Sequence, residues 1–466
     1  MITIKKTSLN TAREPLAAPF GFKGGYVDEL WQSVVCLEDD LSNRATGLGV
    51  QSVLWSGPEV HARWGHERGN AFMQTITAHA LETAAGMSFG TPLDLLDGLT
   101  GPTLAYADRA WGRGRLRATF GLNALVPVDH AAWALLARRH TDASFYEMIP
   151  EAYRSALTAR HDRLACTPVV SYGMTAADVE ALLDEGYFVL KIKLGSDPDG
   201  DGDPDKMLAW DIRRLEEIHR IAERRDCPHT ANGKVAYYLD INGRYAGTEP
   251  LHRLIEAAER TGALDRVLVV EEPFPEHVHA SVADLPVRVA GDESVHDEGD
   301  AIARIQMGYG ALALKPVAKT MSMSLRIART AAAYGIPCFC ADLTANPVMV
   351  DWNKKPGRAT RAAARIGHGA DRIERRAELP ALGGDGAPPS ASECELDRRV
   401  VRHVPARRGV LRAQRGRPRS KRLLRFAVQS GLAIISTAVI MKLFIRSVME
   451  KSADFALFSS FVFLLR

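Results

Sequence analysis

The segment RVLVVEEPF, residues 266–274, decides the fold, because it is a short apolar strand that ends in a pair of acidic residues. Similar segments lie on both sides of it, and amphipathic helical stretches separate them. Short strands rich in Val, Ile and Leu that alternate with helices are typical of a buried parallel sheet. Working outward, the other strands are YFVLKIKLG (187–195) and AYYLDINGRY (236–245) before it, VRVAGDES (287–294) and GALALKP (310–316) after it, and CTPVVSYGM (166–174) and IPCFCADLT (336–344) at the two ends.

Seven strands at this spacing predict an α/β fold with a closed barrel of the TIM type within residues 161–353, rather than an open doubly wound sheet. No glycine-rich GxGxxG turn follows the first strand, so a dinucleotide-binding fold is not indicated. Residues 1–160 instead contain short β-like pieces followed by helical patterns. They predict a separate α+β domain in front of the barrel.

The composition changes abruptly at Lys354. From there to Arg422 the chain has no Phe, Tyr, Trp or Met and is rich in Ala, Arg, Gly and Pro. Such a segment cannot build a hydrophobic core, so we expect no eighth barrel strand in it. Residues 423–466 are apolar again. Within them, residues 426–445 follow a basic stretch and form a possible, marginally long membrane helix.

The overall composition is that of a soluble globular protein. The net charge of +3 is small, and up to residue 353 acidic and basic residues are mixed, so nucleic-acid binding is not indicated. Six cysteines lie scattered without the spacing of a zinc site or a disulfide framework. The N-terminus lacks the apolar stretch of a secretory signal. These features predict a cytoplasmic protein with reduced thiols, and membrane attachment through 426–445 is the alternative.

Three carboxylates end consecutive predicted strands: Asp240 in YYLD, Glu271 in VLVVE and Asp292 in VRVAGD. In a parallel barrel these strand ends converge on the face where active sites form. Three anions at one point repel each other unless a hard cation such as Mg²⁺ lies between them. Each acid alone could also cap the next helix. The trio on consecutive strands favours a metal site.

Lysines accompany these acids. Lys191 and Lys193 are two residues apart in VLKIKLG and therefore point to the same side of their strand. Lys315 ends ALALK on the sixth strand, across the barrel from the second. Two amines on opposite sides of a metal-bound carboxylate could remove a proton from one face of a carbon and return it to the other. A lone strand lysine could instead be a surface residue that extends into solvent.

The ordered motifs KxK, DxN, EEP, GDES and LKP resemble those of the mandelate racemase/muconate lactonizing enzyme family of the enolase superfamily, in its muconate cycloisomerase and dipeptide epimerase branch. The resemblance covers about residues 20–353. It implies an N-terminal capping domain and a modified (β/α)7β barrel, with the last barrel strand missing in this chain. It also implies that Mg²⁺, or Mn²⁺, is bound by Asp240, Glu271 and Asp292.

By the same resemblance, Lys193 and Lys315 form the acid/base pair, while Lys191 lowers the pKa of its neighbour and contacts the carboxylate of the substrate. The implied reaction removes the proton α to the carboxylate of a small molecule, as in racemases, epimerases and cycloisomerases. His-dependent dehydratases lack a counterpart of Lys315. The resemblance further implies a homo-oligomer. Residues that select the substrate usually lie on the eighth strand, so the substrate stays open.

Two other hypotheses remain open at this stage. The chain could be an inactive member of the family whose reading frame shifted near Lys354, because GC-rich DNA read out of frame yields mainly Ala, Arg, Gly and Pro. It could also be a membrane-attached form, held by residues 426–445.

Overall fold

The computed structural model describes residues 1–22, 25–158 and 165–341, together with Ala345, Met349, Trp352, Pro356 and Ala359. The N-terminal part forms an antiparallel sheet of four strands in the order β3-β2-β1-β4. Its strands are β1 Ile2–Phe22, β2 Gly25–Asp39, β3 Arg44–Gln51 and β4 Ser88–Phe89. Its helices are α1 Val53–Ser56, α2 Pro58–Ala84, α3 Pro92–Trp111, α4 Ala118–Arg139, α5 Phe145–Met148 and α6 Glu151–Arg154.

Close packing of α4 on β3 fixes the shape of this N-terminal domain. A Cβ atom at Gly47 would lie 2.1 Å from the carbonyl oxygen of Pro127 and 2.3 Å from the backbone nitrogen of Ala131, and one at Gly49 would lie 2.5 Å from the Pro127 ring. Only glycine allows helix and strand backbones to approach this closely. The glycines of RATGLGVQ therefore seat α4 directly on the sheet, and the opposite side of α4 contacts the second domain.

The second domain contains a parallel sheet of seven strands that follow one another in chain order. Its strands are β5 Val169–Val170, β6 Val189–Lys193, β7 Ala236–Asp240, β8 Val267–Glu271, β9 Val289–Gly291, β10 Ala311–Leu314 and β11 Cys338–Cys340. Its helices are α7 Ala176–Asp184, α8 Pro204–Ala222, α9 Thr248–Thr261, a 3-10 turn at Leu264–Arg266, α10 Glu298–Gln306, α11 Pro316–Lys319 and α12 Met321–Ala333. The α/β class and all seven predicted strands are confirmed.

The register of the parallel strands brings their carboxyl ends to one edge. Lys193 lies beside Asp240, Asp240 beside Glu271, and Glu271 beside Ala290. All five residues of β7 are buried, as expected for a strand covered on both faces. The polar residues that end these strands are therefore held next to one another by the backbone ladder itself.

The segment after β11 is described only at isolated positions. Trp352 is buried, and its ring lies 4.5 Å from that of His130 and 5.7 Å from that of Phe145, both in the N-terminal domain. The chain thus returns to that domain at this position. The predictions for residues 354–422 and 426–445, including the missing eighth strand and the membrane helix, fall almost entirely outside the described residues and stay predictions.

Within the described part of the chain, α4 alone is long and apolar enough to cross a membrane, and most of it is buried inside the protein. It contributes Leu125, Ala131 and Trp133 to the hydrophobic core. We therefore interpret it as a core helix.

Candidate active site

The structure brings together, at the carboxyl edge of the parallel sheet, all six side chains that the sequence assigned to a site. Asp240 and Glu271 end β7 and β8, and Asp292 directly follows β9. The lysines lie on the flanking strands on either side. They are Lys191 and Lys193 on β6, and Lys315 immediately after β10.

On the β6 side the lysines pair with the carboxylates. The Nζ atom of Lys191 donates to Glu271 Oε2 at 2.7 Å and lies 2.9 Å from Asp240 Oδ2. The Nζ atom of Lys193 donates to the same Asp240 oxygen at 2.6 Å. These groups are almost fully removed from solvent, so their mutual pairing offsets the cost of burying each charge.

On the opposite side, Lys315 donates to Asp292 Oδ2. A further lysine, Lys319, lies one helical turn later in α11 and is completely buried. Its Nζ donates to the backbone oxygen of Asp292 and, at 2.8 Å, to that of Val295, and lies 3.4 Å from Asp292 Oδ1. Asp292 is therefore held between two amines, as Asp240 is on the other side.

Carboxylate oxygens of Glu271, Asp292 and Glu293 lie within 4.8 Å of one another and are all buried. The Oε1 atom of Glu271 is buried and has no hydrogen-bond partner among the described residues. A buried carboxyl oxygen without a partner, next to further carboxylates, suits a hard divalent cation that takes oxygen ligands. The residues present therefore fit Mg²⁺. Asp240 stands beside this cluster, with its Oδ2 directed at the two β6 lysines.

The electrostatics of the site show an excess of negative charge. Burial and the neighbouring Asp240 raise the pKa of Glu271 to about 8. Burial also acts on Asp240, but Lys191 and Lys193 outweigh it and hold the pKa of Asp240 at about 2. Burial lowers the pKa of Lys315, but Asp292, Glu293 and Glu271 together outweigh it, and the net pKa is above its usual value. The pKa of Lys191 is raised as well, by Asp240 and Glu271 acting against burial, so these two amines are held in the charged form by their carboxylate partners.

Aromatic rings cover both ends of the array. The hydroxyl of Tyr238 donates to Glu271 Oε2, and Lys191 Nζ lies 4.5 Å from the centroid of the Tyr238 ring. On the other side, Lys315 Nζ lies 4.3 Å from the centroid of the Trp55 ring. Because Trp55 belongs to α1, the N-terminal domain contributes directly to the environment of a site built on the barrel strands.

Sequence reasoning missed several of these residues. Glu293 stands next to Asp292 in the GDES motif, and Lys319 lies four positions after Lys315, a spacing that puts two side chains on one face of a helix. Both signals were available. The contact of Trp55 with Lys315 joins positions 260 residues apart, and no local pattern could have indicated it.

Comparison with known proteins agrees with this architecture. Residues 174–361 match the family model described as enolase C-terminal domain-like. No curated protein matches the chain.

Several solved structures share the fold. The L-Ala-D/L-Glu epimerase from Bacillus subtilis is 20% identical, with a TM-score of 0.58 over 78% of this chain and 88% of that one. A dipeptide epimerase from Enterococcus faecalis, complexed with Mg and L-Leu-L-Tyr, is 15% identical, with a TM-score of 0.55 over 78% and 88%. The N-succinyl Arg/Lys racemase from Bacillus cereus is 15% identical, with a TM-score of 0.54 over 77% and 86%. At these identities the likeness establishes a shared fold.

Proposed function

We propose, from the match of residues 174–361 to the enolase C-terminal domain-like family model and from the fold shared with racemases and epimerases, that this chain is a member of the mandelate racemase/muconate lactonizing family of the enolase superfamily and a Mg²⁺-dependent isomerase acting on a small carboxylate. The observation that carries the proposal is the order of groups along the sheet edge. Two carboxylates end β7 and β8, a third directly follows β9, and an amine stands on each flank, Lys193 on β6 and Lys315 after β10.

We assign the cation to Asp240, Glu271 and Asp292, with Mn²⁺ as a possible substitute. When bound, the cation supplies positive charge that stabilises the carboxylate of the substrate as negative charge develops on it. A cation would also take over the carboxylates that now pair with Lys193 and Lys315. The carboxylates stabilise the charged form of the two amines. Once a cation holds the carboxylates, the pKa of the amines would fall, and a neutral amine that can act as a base would form more easily.

The proton transfers follow from the two amines. One neutral lysine takes the α-proton, and the electron pair of the broken C–H bond moves into the carboxylate. The opposite ammonium then returns a proton to the other face of the same carbon, so charge and protons balance. Lys191, which contacts both Asp240 and Glu271, would hold the substrate carboxylate at the same edge.

The substrate class stays open, and the names of the structural relatives supply probes. We suggest N-substituted amino acids, namely the dipeptides L-Ala-L-Glu and L-Leu-L-Tyr and the compound N-succinyl-L-lysine, each offered with its epimer or enantiomer. In this proposal the protein acts in the cytoplasm as a homo-oligomer.

We predict that Lys193→Ala abolishes α-proton exchange from one stereoisomer, by roughly 10²-fold or more, while exchange from the other continues through Lys315. Lys315→Ala should show the reverse preference. Exchange in D₂O with Mg²⁺, followed by NMR on the purified full-length chain, measures both rates. Lys206→Ala removes an exposed lysine from the first turn of α8 and serves as the control. Equal residual rates for the two stereoisomers in Lys193→Ala would contradict the assignment of one lysine to each face of the α-carbon.

A second candidate is an inactive member of the family. The composition after Lys354 favours it, because that segment lacks the aromatic residues needed to complete a core. We then expect poor folding and no exchange with any probe. Translating the coding DNA around codon 354 in all three frames decides the origin of the segment. A shifted frame that encodes a further strand would support a frameshift, and an ordered eighth strand within 354–422 would overturn it.

A further inference from the structure

Asn242 occupies an unusual backbone position beside the site. It follows β7 by two residues and has a φ of +51°, a conformation that few residues other than glycine adopt and that asparagine tolerates best among them. Its N–H donates to Asp240 Oδ1 at 3.2 Å, and the N–H of Gly243 donates to the backbone oxygen of Glu272 at 2.6 Å. The turn is therefore fixed on both sides of Asn242.

The side chain of Asn242 bridges a lysine and a carboxylate. Its Oδ1 accepts from Lys193 Nζ at 2.6 Å, and its Nδ2 donates to Glu293 Oε1 at 3.0 Å. An ammonium can only donate and an ionised carboxylate can only accept, so the two neighbours define which end of the amide is oxygen. Glu293 thereby orients the amide, and the amide orients the lysine.

We propose that Asn242 is the positioning residue of Lys193, an inference that rests on the proposed function of that amine. Lys193 has two acceptors at 2.6 Å, Asp240 Oδ2 and Asn242 Oδ1. A cation bound by Asp240 would compete for the first. The amide of Asn242 is neutral, so the cation attracts it less than it attracts a carboxylate, and the amide stays hydrogen-bonded to the amine. It fixes the end of a flexible four-carbon side chain at the face of the substrate carbon.

The two sides of the site differ in this respect. Among the described residues, Lys315 is held by the carboxylate of Asp292 and by the face of Trp55, and neither contact involves an amide. A change at Asn242 should therefore slow proton transfer by Lys193 and spare transfer by Lys315. A loss of folding or of metal binding would slow both.

Asn242→Gly is the cleanest variant, because glycine adopts the positive φ without strain and only the amide is lost. We expect exchange from the stereoisomer served by Lys193 to fall roughly tenfold or more relative to the other. Affinity for Mg²⁺ alone, measured by calorimetry, should change much less than the exchange rate, because the backbone N–H that donates to Asp240 Oδ1 is kept in the variant. Asn232→Gly is the matched control, since Asn232 lies in an exposed turn and donates to the backbone of Asp265.

A readout without substrate separates this inference from the proposed function. Reductive methylation of the full-length chain, read by mass spectrometry, compares Lys193 with Lys191 in the same molecule. Loss of one of two acceptors should speed labelling of Lys193 about fivefold in Asn242→Gly, the order expected for one hydrogen bond. Faster labelling supports the positioning role even if no probe exchanges, in which case the proposed function alone fails. Unchanged labelling, or equal loss of exchange from both stereoisomers, overturns it.

Discussion

At the scale of single residues, the site is a balance of buried charges. Five buried carboxylates face four buried or nearly buried amines, which leaves one negative charge in excess. The carboxylates are those of Asp240, Glu271, Glu272, Asp292 and Glu293, and the amines are those of Lys191, Lys193, Lys315 and Lys319. The raised pKa values of Glu271 and Glu272, about 8 and about 7, follow from burial together with this excess. A bound divalent cation would neutralise this excess negative charge.

We predict that Asp240→Asn weakens Mg²⁺ binding about tenfold or more, which corresponds to about 1.4 kcal/mol. The amide keeps the size of the side chain and removes its charge, so the attraction for the cation falls. Calorimetric titration of the full-length chain measures the affinity. Asp265→Asn, at an exposed carboxylate paired with Lys234, is the control.

Glu293→Gln tests the alternative ligand set. Glu293, not Asp240, clusters with Glu271 and Asp292 in the structure. If Glu293→Gln weakens binding and Asp240→Asn leaves it unchanged, the assignment of Asp240 is wrong and the geometric cluster provides the ligands.

At the scale of elements, the sequence predicted the barrel strands well and their surroundings less well. Val/Ile/Leu-rich strands such as β8 are fixed by their own composition, and their terminal acids follow because parallel strands end at one edge. The positions of Lys319 and Asn242 depend instead on how a turn or a short helix folds back on a neighbouring strand. Tertiary contacts decide which partners these two side chains meet, although the spacing of Lys319 from Lys315 and the DxN motif are visible in the sequence.

The glycines of β3 allow the backbone of α4 to pack directly against this strand. We predict that Gly47→Ala destabilises the chain by about 1–3 kcal/mol or more, because its Cβ atom would overlap the backbone of α4 and cannot be accommodated by a rotamer change. Urea denaturation measures the loss.

Gly173→Ala is the matched control for this substitution. Apart from its chain neighbours, no atom of the described residues lies within 4 Å of a Cβ placed there, and Gly173 does not have a positive φ. Its stability should change by less than about 0.5 kcal/mol. An equal, small effect of both substitutions would show that α4 is free to shift on the sheet.

At the scale of the whole molecule, one carboxylate joins the two domains. Asp129, on α4, accepts from the backbone N–H of Met321 at 2.8 Å and of Ser322 at 3.2 Å, and from the Ser322 hydroxyl. These groups form the first turn of α12, shortly after Lys319 at the end of α11. The N-terminal domain thus caps a barrel helix beside the site, a contact across 192 residues that no local pattern predicts.

Asp129 should make the docking of the domains depend on pH. Burial raises the pKa of Asp129 to about 7, although hydrogen bonds from Ser322 and Met321 act in the opposite direction. In the unfolded chain the pKa of the Asp129 carboxyl is near its ordinary value of 3.8. Between these two values the folded protein holds a proton that the unfolded chain lacks. The stabilising contribution is therefore complete below about pH 4 and is lost as pH rises toward about 7, with a slope of up to about 1.4 kcal/mol per pH unit.

We predict that Asp129→Asn removes this component of the pH dependence. The amide can still accept from the two backbone N–H groups and donate to the Ser322 hydroxyl, so the cap is kept while the titrating group is lost. Urea denaturation of both proteins at several values between pH 4 and 8 gives the difference in unfolding free energy. Other buried carboxylates with raised pKa values, such as Asp211, contribute equally to both proteins and therefore drop out of the difference. Asp142→Asn, at an exposed carboxylate in a turn, is the control. If the stabilities of Asp129→Asn and of the parent chain change in parallel across this range, the Asp129 carboxyl does not titrate there and its buried contact is independent of pH.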